Sequence, residues 1–354
     1  MSSFVKLGDL THIRTGKLDA NASSENGQYP FFTCSKEPLR IASYSYDCEC
    51  VLVAGNGDLN VKYYDGKFDA YQRTYIIESA DKRKLLVKYL YFFLDIYVEV
   101  LRTQSIGGVI KYIKLGNLTD ALIPLPSIER QAEIIECLEK CNTLIDKRQR
   151  QIALIEQTVK SRFIELFGMP GTDAFGWGLV PLGSTCNINP KKSLDSRLVS
   201  GAMVSFVPMP AVTEHGEIDA TAIKEYDEVK TGFTYFAEND VLFAKITPCM
   251  ENGKGAVAKG LHNGIGFGST EFHVLRPLSG KTDPYWIYTL TAFSQFRIDA
   301  ASNMTGSAGQ RRVPASFLEN YRVSLPPIEL QEQFAAFVEQ TDKSKLCGKM
   351  EVAA

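Results

Sequence analysis

The feature that most constrains this chain is a seven-residue phrase that occurs twice. Residues 125–131 read Leu-Pro-Ser-Ile-Glu-Arg-Gln, and residues 325–331 read Leu-Pro-Pro-Ile-Glu-Leu-Gln, 200 positions further on. A second echo begins each half, because residues 5–8 (Val-Lys-Leu-Gly) reappear as residues 180–183 (Val-Pro-Leu-Gly). Repetition over such a distance indicates a duplicated structural unit. We therefore expect two related units, an arrangement that suits a ligand with two parts rather than a single active site.

Each unit is expected to mix strands and helices. Residues 51–53 and 240–244 are rich in strand-forming side chains and are bounded by Gly and Asn turns. An aromatic stretch follows in each unit, and residues 89–94 align with residues 285–290 at an offset of 196. The pattern predicts two α+β units with one aromatic helix each, and about twenty additional residues in the front half of the second.

A long helix is predicted between the units, because residues 128–167 contain neither Gly nor Pro. Five apolar residues recur there every seven positions, which is typical of a coiled-coil seam: Leu138, Ile145, Ile152, Val159 and Leu166. Gly168 and Pro170 should end this helix. A second helix should start at Ile328 and end by Gly348, at about half the length of the first. We expect the two to pair as an antiparallel coiled coil.

These signals divide the chain into five segments. We expect a first unit at residues 1–122, a central helix at 123–168, a linker at 169–178, a second unit at 179–324 and a short distal helix at 325–354.

The overall charge gives no reason to expect nucleic acid as a ligand, but the local charge does. Lys and Arg total 39 against 41 Asp and Glu. Residues 62–114 nevertheless carry 10 basic and 6 acidic residues, and residues 241–322 carry 9 and 5. A polyanion is therefore expected to bind to the back half of each unit.

Compartment and metal chemistry are also constrained. No charged and apolar leader precedes Phe4, and the longest apolar stretch, residues 89–101, carries two acidic residues and is too short to cross a bilayer. We expect a cytoplasmic protein that does not contact a membrane. The eight cysteines have no zinc spacing with the four histidines, so we expect reduced, mostly buried thiols and no metal site.

Two loops of the second unit carry candidate DNA contacts. Residues 245–255 place lysines, which can hold phosphates, beside a threonine and an asparagine, which can read base edges. A solvated hairpin is an equally good interpretation of that segment alone. Residues 302–312 are a loop of small residues that ends in adjacent arginines, whose forked donors suit a phosphate backbone. The candidates are Lys245, Thr247, Asn252, Lys254, Gln310, Arg311 and Arg312.

The first unit has loops at matching places. Residues 104–112 correspond to the arginine loop, while residues 55–58 and 71–74 offer Asn, Gln and Arg, the side chains that pair bidentately with adenine or guanine. The presence of polar Gly loops at matching places in both copies favours ligand contact, whereas the residues of 55–58 and 71–74 mean little taken singly. The candidates are Asn56, Tyr71, Gln72, Arg73, Ser105, Lys111 and Tyr112.

Motifs for catalysis are not found. The chain lacks a phosphate-binding Gly-Lys loop, a dinucleotide fingerprint, a nucleophile elbow, a His-Glu-x-x-His zinc motif and the Pro-Pro-Tyr segment of amino-methyltransferases. The histidines are isolated, and we expect them to be core or surface residues. We interpret the chain as a non-enzyme with no catalytic residue.

The whole pattern resembles the specificity (S) subunit of type I restriction-modification systems, and the resemblance covers almost the entire chain. It rests on the doubled Leu-Pro-x-Ile-Glu-x-Gln phrase, the Leu-Gly opening of each unit and residues 305–312 (Thr-Gly-Ser-Ala-Gly-Gln-Arg-Arg). Residues 240–255 and 264–272 resemble target recognition domains of that family, which adds Ser269 and Thr270 to the candidate DNA contacts.

The resemblance implies two tandem target recognition domains that are separated by long conserved helices, and these helices would pair as an antiparallel coiled coil. Each domain would read half of a bipartite site in double-stranded DNA. It also implies partners. Two methyltransferase (M) subunits would dock on the helices and methylate adenine, and restriction (R) subunits would translocate and cleave DNA. S-adenosylmethionine, Mg and ATP are thus expected on partner subunits, and no cofactor on this chain.

One feature departs from the family pattern, because residues 347–350 do not continue the heptad and a longer tail would be expected. Truncation of the chain, or altered docking of one M subunit, would account for it. Two other functions are compatible with the sequence: a structural adaptor with twin protein-binding domains, and an intrinsic nuclease that uses Glu228 and Lys230.

Overall fold

The computed structural model describes residues 3–192, 195–307 and 309–353. The chain divides into two units, unit 1 at residues 1–146 and unit 2 at residues 147–354. Both contain sheets and helices, which confirms the predicted α+β class. Ala308, within the arginine loop singled out above, lies outside the described residues.

Unit 1 is built around a six-stranded sheet with the order β2-β7-β5-β6-β3-β4. Its neighbours are antiparallel except β3 and β6, and a separate antiparallel pair joins β1 to β8. The strands are β1 (Ser3–Lys6), β2 (Thr11–Thr15), β3 (Tyr29–Phe32), β4 (Leu39–Ile41), β5 (Tyr46–Ala54), β6 (Val61–Ala70), β7 (Thr74–Ser79) and β8 (Leu122–Leu125). The helices are α1 (Val87–Gln104), α2 (Leu115–Thr119) and the start of α3 (Ile128–Phe167).

The core of unit 1 lies between the sheet and α1. Leu90, Leu94 and Leu101 are fully buried on one side of α1, at the spacing of an amphipathic helix. They share a core with Val51 and Val53, which confirms the strand predicted at residues 51–53. Burial of each such side chain contributes roughly 1.5–3 kcal/mol, so this contact fixes α1 against the central strands.

Unit 2 contains two four-stranded sheets, ordered β10-β17-β14-β15 and β12-β11-β16-β13, and the antiparallel pair β9 and β18. Among the described strand pairs of unit 2, only β11 and β16 are parallel. The strands are β9 (Leu179–Pro181), β10 (Cys186–Ile188), β11 (Met203–Val207), β12 (Ile223–Glu225), β13 (Thr234–Ala237), β14 (Val241–Ala244), β15 (Gly255–Val257), β16 (Ile265–Gly268), β17 (Phe272–Pro277) and β18 (Arg322–Ser324). The helices are the end of α3, α4 (Tyr226–Val229), α5 (Pro284–Ala292), α6 (Ser294–Ser302), α7 (Ala315–Asn320) and α8 (Ile328–Ala353).

The two long helices begin where the doubled phrase predicts. The helix α3 has 40 residues and stops before Gly168, whose φ of +76° suits a glycine at a helix end. The prediction for α8 was wrong at its end, because this 26-residue helix continues through Gly348. A single glycine inside a helix costs only about 1 kcal/mol relative to alanine, which does not suffice to end it.

The end of α3 packs against the start of α8 through aromatic rings. The rings of Phe163 and Phe167 each lie 5.5 Å from the ring of Phe334 in edge-on contact. Of the five predicted seam residues, Val159 and Leu166 pack against this core. Leu138 and Ile152 are half-buried, and Ile145 is 37% exposed. Phe163 was not among the predicted seam residues, because it follows Val159 at the four-residue spacing of one helical turn rather than at the heptad spacing.

The glutamine that closes the doubled phrase explains the phrase in unit 1. Gln131 is fully buried. Its side-chain oxygen accepts a hydrogen bond from the N–H of Leu86 at 2.9 Å, and its Nε2 donates to the carbonyl oxygens of Lys84 and Pro126 at 2.8 and 3.0 Å. Buried polar groups are stable only when they have such partners. The carboxamide therefore ties the start of α3 to the segment that leads into α1.

Gln331 makes the same three hydrogen bonds in unit 2 and is equally buried. Its side-chain oxygen accepts from the N–H of Asp283 at 2.9 Å, and its Nε2 donates to the carbonyl oxygens of Lys281 and Pro326 at 3.1 and 2.8 Å. Gln331 thus joins α8 to the segment that leads into α5, just as Gln131 joins α3 to the segment that leads into α1.

These bonds also fix the register between the two copies. Leu86 and Asp283 hold the same position and are 197 residues apart. The alignment at 196 was therefore wrong by one residue, and Tyr89 corresponds to Trp286. Both of these side chains are buried. Sequence comparison paired Tyr89 with Tyr285 because both are tyrosines, whereas packing requires a residue that faces the core, and that residue is Trp286.

The seven described cysteines are free thiols, but the prediction that most are buried was wrong. Only Cys50 and Cys186 are buried, and burial raises the pKa of Cys186 to about 12. Cys137 and Cys141 are exposed on α3, one helical turn apart on its outer side. The side chain of Cys347 lies outside the described part of the chain. Among the described helices, none is sufficiently long and apolar to span a membrane.

Replacing Gln131 with Ala should leave the half-buried N–H of Leu86 without its acceptor, at a cost of roughly 1–3 kcal/mol. We expect faster amide hydrogen exchange around Leu86 and unchanged exchange around Asp283. Gln331→Ala should do the reverse. The control is Gln157→Ala, at an exposed position of α3, which should alter neither region. Unchanged exchange at Leu86 would contradict the assigned role of Gln131.

Candidate nucleic-acid interface

In unit 2, three loops meet where β14 ends. The N–H of Lys245 donates to the carbonyl oxygen of Glu271 at 2.9 Å, and the carbonyl oxygen of Lys245 accepts from the N–H of Val313 at 2.9 Å. The N–H of Thr247 donates to the carbonyl oxygen of Arg311 at 3.0 Å. These backbone bonds hold together residues 245–254, 269–271, 305–307 and 309–313, which we call the loop cluster of unit 2.

The loop cluster of unit 1 is formed in the same way by residues 55–60, 71–73 and 105–113. The N–H of Gly55 donates to the carbonyl oxygen of Arg73 at 2.7 Å, and the carbonyl oxygen of Gly55 accepts from the N–H of Ile113 at 3.0 Å. The N–H of Gly57 donates to the carbonyl oxygen of Lys111 at 2.9 Å. The frame of main-chain bonds is therefore duplicated, while the side chains that it carries differ.

A glycine shapes the hairpin at the same place in each cluster. Gly107 has a φ of +116° and Gly306 a φ of +118°, a region that other residues rarely adopt. A Cβ at Gly107 would also lie 2.5 Å from the carbonyl oxygen of Ile110, and one at Gly306 would lie 2.9 Å from that of Gln310. The polar Gly loops matched by sequence are thus the same structural feature.

All seven candidate residues of unit 1 lie in its loop cluster. Gln72, Arg73, Lys111 and Tyr112 are exposed, and Asn56, Tyr71 and Ser105 are half-buried. Asn56 is bridged to Tyr112 through the backbone. The Nε2 of Gln72 donates to the carboxylate of Asp19 at 2.7 Å, so that amide is held in one orientation.

The nine candidate residues of unit 2 also lie in one cluster. Asn252, Thr270, Gln310 and Arg311 are exposed, while Lys245, Thr247, Lys254, Ser269 and Arg312 are half-buried. Burial lowers the pKa of the Lys245 ammonium. The Nζ of Lys254 donates to the carbonyl oxygen of Val212 at 3.2 Å. The structure therefore brings together candidates from Lys245 to Arg312, which are 67 residues apart in sequence.

The two adjacent arginines differ in their surroundings. The Nε and Nη2 of Arg312 donate to both carboxylate oxygens of Glu271 at 2.8–3.2 Å, and these bonds lower the pKa of Glu271. Arg311 lies 3.4 Å from Glu251 and is more exposed. The forked pair fixes the Arg312 guanidinium, so Arg311 is the arginine better placed to meet an external anion.

Two arginines that the sequence did not single out, Arg297 in unit 2 and Arg102 in unit 1, donate hydrogen bonds to main-chain carbonyl oxygens of the loop clusters. In unit 2, buried Arg297 donates to the carbonyl oxygens of Thr291, Met250 and Gly253 at 2.7, 3.0 and 3.3 Å. Its guanidinium lies 4.4 Å from the centre of the Phe243 ring, and burial lowers its pKa to about 10.

In unit 1, Arg102 of α1 plays a similar part. Its Nη2 donates to the carbonyl oxygen of Leu59 at 2.7 Å and lies 3.4 Å from the carboxylate of Asp58, while Nη1 pairs with Glu99. A lone arginine on a helix has no sequence pattern that would predict such a contact. In both units, therefore, a guanidinium holds the loop that follows the central strand, from α1 in unit 1 and from α6 in unit 2.

His273 is a core residue at the base of the unit 2 cluster, as expected for an isolated histidine. Its Nε2 donates to the carbonyl oxygen of Val313 at 2.8 Å, and its Nδ1 lies 3.0 Å from the amide nitrogen of Asn189. Burial lowers the pKa of His273. The folded protein therefore holds the imidazole in its neutral form.

The free energy of unfolding of unit 2 should decrease as the pH falls below neutrality. Below about pH 6.5 the unfolded chain protonates His273, whereas the folded unit with its lowered pKa does not, so the unfolded state gains. We expect the free energy of unfolding, measured by urea titration, to drop between about pH 7.5 and about pH 5.5, by at most roughly 1.4 kcal/mol per pH unit. His273→Gln should flatten this slope. His12→Gln, at an exposed position of β2, should leave it unchanged, and an unaltered slope in H273Q would refute the assignment.

The nuclease-like pair Glu228 and Lys230 is not a pair in the structure. The Nζ of Lys230 lies 3.0 Å from Asp227, one helical turn away, while Glu228 is exposed. The Asp227 carboxylate also accepts from Ser200 and Gly201, and its pKa is about 2 because of these bonds. Asp227 thus stabilises the turn at Ser200 and Gly201. Among the described residues, no three His, Cys, Asp or Glu side chains are grouped as metal ligands.

Fold and clusters together define a duplicated α+β protein that presents one polar loop cluster per unit. The chain belongs to the family of the type I restriction modification DNA specificity domain, whose profile matches residues 2–157 and 176–348. The two matched segments contain all the loops of the two clusters.

Relatives agree with this assignment. The chain is 42% identical over 255 residues to the type I restriction enzyme EcoEI specificity subunit of Escherichia coli, which covers 66% of this chain and 41% of that subunit. It is 40% identical over 158 residues to the EcoDI specificity subunit of the same organism, over 44% of this chain and 34% of that subunit. The chain thus spans less than half the length of these curated relatives.

A solved structure shares the fold. The type I restriction-modification S subunit of M. genitalium superposes with a TM-score of 0.58 at 15% identity, covering 100% of this chain and 92% of that one.

Proposed function

We propose that this chain is the DNA sequence-specificity subunit of a type I restriction-modification complex. Each loop cluster would read one half of a bipartite site in double-stranded DNA. The observation that carries this proposal is the duplicated frame of backbone hydrogen bonds, which presents different polar side chains at equivalent places in two units. Two similar frames with different side chains suit two different short sequences.

The chemistry of the exposed side chains supports DNA as the ligand. Lys111 and Arg311 occupy the same position in the two clusters, where a cation can meet a phosphate. The amides of Gln72, Asn252 and Gln310 can pair bidentately with adenine, which gives sequence discrimination of about 1–3 kcal/mol per contact. Cations position the duplex and amides read it.

The partners follow from the same proposal. The helices α3 and α8 would pair along their length as an antiparallel coiled coil and carry two M subunits, with R subunits joining through the complex. S-adenosylmethionine, Mg and ATP would be bound by those subunits, and this chain would contribute no catalytic group. The half-buried seam residues Leu138 and Ile152 support a helical surface that is completed by a partner.

The proposal is tested by reconstituting the full chain with its methyltransferase subunits. We expect methylation at one bipartite motif with a fixed gap, found by long-read methylation mapping, and footprint protection of both halves. Binding should weaken steeply with salt. Methylation without sequence preference, or a complex that protects no DNA segment, would instead favour the adaptor hypothesis.

Single cations in the clusters should contribute to affinity without changing specificity. We expect Arg311→Ala and Lys111→Ala each to weaken binding to all sequences and to reduce the slope of log affinity against log salt by about 1, because each removes one phosphate contact. Arg83→Ala is the control, since Arg83 is highly exposed and outside both clusters. Unchanged slopes for both variants would overturn this placement of the DNA.

Amide side chains should behave differently from these cations. Asn252→Ala should relax the sequence requirement at one half of the motif and leave the other half unchanged, because only unit 2 carries this side chain. The measurement is the specificity ratio for single-base variants of each half.

A further inference from the structure

The hairpin in the loop cluster of unit 1 carries two exposed aliphatic side chains at its tip. Val109 is fully exposed, and Ile110 is 63% exposed. Tight turns usually carry Gly, Asn, Asp or Ser at such positions. A single exposed apolar side chain needs no explanation, but two adjacent ones at the end of a hairpin offer a surface that a ligand can cover. We call Val109 and Ile110 the apolar tip of unit 1.

The main chain holds the apolar tip in a defined position. The N–H of Ile106 donates to the carbonyl oxygen of Tyr112 at 3.0 Å, and the N–H of Tyr112 donates to the carbonyl oxygen of Ile106 at 2.9 Å. The two tip side chains are branched at Cβ, so each has few χ1 rotamers. Backbone and side chains therefore have little conformational freedom left to lose when a ligand binds.

The hairpin of unit 2 has the same base but a different tip. Thr305 and Arg312 exchange the equivalent pair of main-chain hydrogen bonds, at 2.9 and 2.8 Å. Residues 107–111 connect the two bonded positions in unit 1, whereas residues 306–311, one residue more, connect them in unit 2. Residues 307–310 read Ser-Ala-Gly-Gln and include no branched aliphatic residue. The apolar tip is therefore not required by the duplicated fold and belongs to unit 1 individually.

The surroundings of the apolar tip favour DNA as the ligand that covers it. The exposed Lys111 follows it directly, and the carbonyl oxygen of Lys111 accepts from the N–H of Gly57 in the loop after the central strand at 2.9 Å. The tip is thus continuous with the candidate DNA interface. Residues 62–114 carry 10 basic and 6 acidic residues, and a net positive charge attracts a polyanion. A two-stranded β-ribbon is also narrow enough to enter the major groove.

The chemistry of the major groove selects one base for an aliphatic contact. Bases are distinguished there by hydrogen-bond donors and acceptors and by one apolar substituent, the C5-methyl group of thymine. Aliphatic side chains cannot replace the water that hydrates a donor or an acceptor, so covering such a group with them is unfavourable. Covering a methyl group removes apolar area from water on both sides.

We propose that the apolar tip makes unit 1 select thymine, through contact of Val109 and Ile110 with the C5-methyl group, at one position of its half-site. This inference rests on the proposed function and adds a base preference to it. Cytosine is disfavoured at that position, because it lacks the methyl group and presents an amino donor. Unit 2, whose tip has no such side chains, makes no equivalent contact.

The test replaces thymine with deoxyuridine, which lacks the methyl group and keeps the hydrogen bonds of the base pair. The full chain with its methyltransferase subunits is titrated with duplexes in which each thymine of both half-sites is replaced singly. We expect one half-site to contain a thymine whose replacement weakens binding about fourfold, the effect of removing one buried methyl group. The double variant Val109→Ala, Ile110→Ala should bind the thymine duplex more weakly and should lose this sensitivity to uracil.

The matched control is Val199→Ala, at a β-branched residue that is 60% exposed and lies outside both loop clusters. This variant should keep the full uracil effect. Sequence-specific binding that no single uracil weakens would overturn this inference and leave the proposed function in place, and DNA kinking in its stead would mean that the tip separates stacked bases. A uracil effect that the double variant retains would assign the methyl contact to another residue.

Two further results would also count against the inference. If the double variant no longer assembles with the methyltransferase subunits, a protein rather than a base covers the apolar tip. If the unaltered complex protects no DNA segment, the proposed function fails and this inference fails with it.

Discussion

A buried carboxamide, present once in each unit, is the contact on which the rest of each half depends. Gln131 and Gln331 join the start of a long helix to the segment before the aromatic helix. In unit 1 the aromatic helix α1 itself carries Arg102, and in unit 2 the aromatic helix α5 is followed by α6, which carries Arg297. Both arginines hold the loop after the central strand. A polar group placed in the core at such a junction is stable only if all of its partners are in place. Helix start, sheet and loops are therefore positioned together.

In the loop clusters, main-chain hydrogen bonds determine the positions of the loops, and the side chains determine the chemistry of the exposed surface. Main-chain bonds of 2.7 to 3.0 Å set the positions of the loops in both units, and the side chains project from this frame. In unit 2, Arg312 is engaged by Glu271, whereas its counterpart in unit 1 is Tyr112. The same backbone thus supports an ion pair in one copy and an aromatic ring in the other.

The sequence predicts the parts of this fold that are set by local periodicity. The doubled phrase marked two helix starts, the absence of Gly and Pro defined the 40-residue α3, and apolar runs located β5 and β14. The sequence also identified the two Gly loops as counterparts. It could not reveal the frame, because hydrogen bonds between main-chain groups leave no trace in residue identity. The same applies to Arg297, whose partners are carbonyl oxygens, and to the register at Trp286, which packing rather than similarity decides.

The duplicated main-chain frame has a consequence for how such a chain can change. Since main-chain bonds set the geometry of each cluster, exchanges at positions such as Asn252 or Gln72 would alter the exposed polar surface and leave its scaffold intact. The two units lie in separate stretches of sequence, so mutation and recombination can act on one without the other. If the chain reads DNA as proposed, new combinations of half-sites would then be accessible through few genetic steps, and each would inherit a working fold.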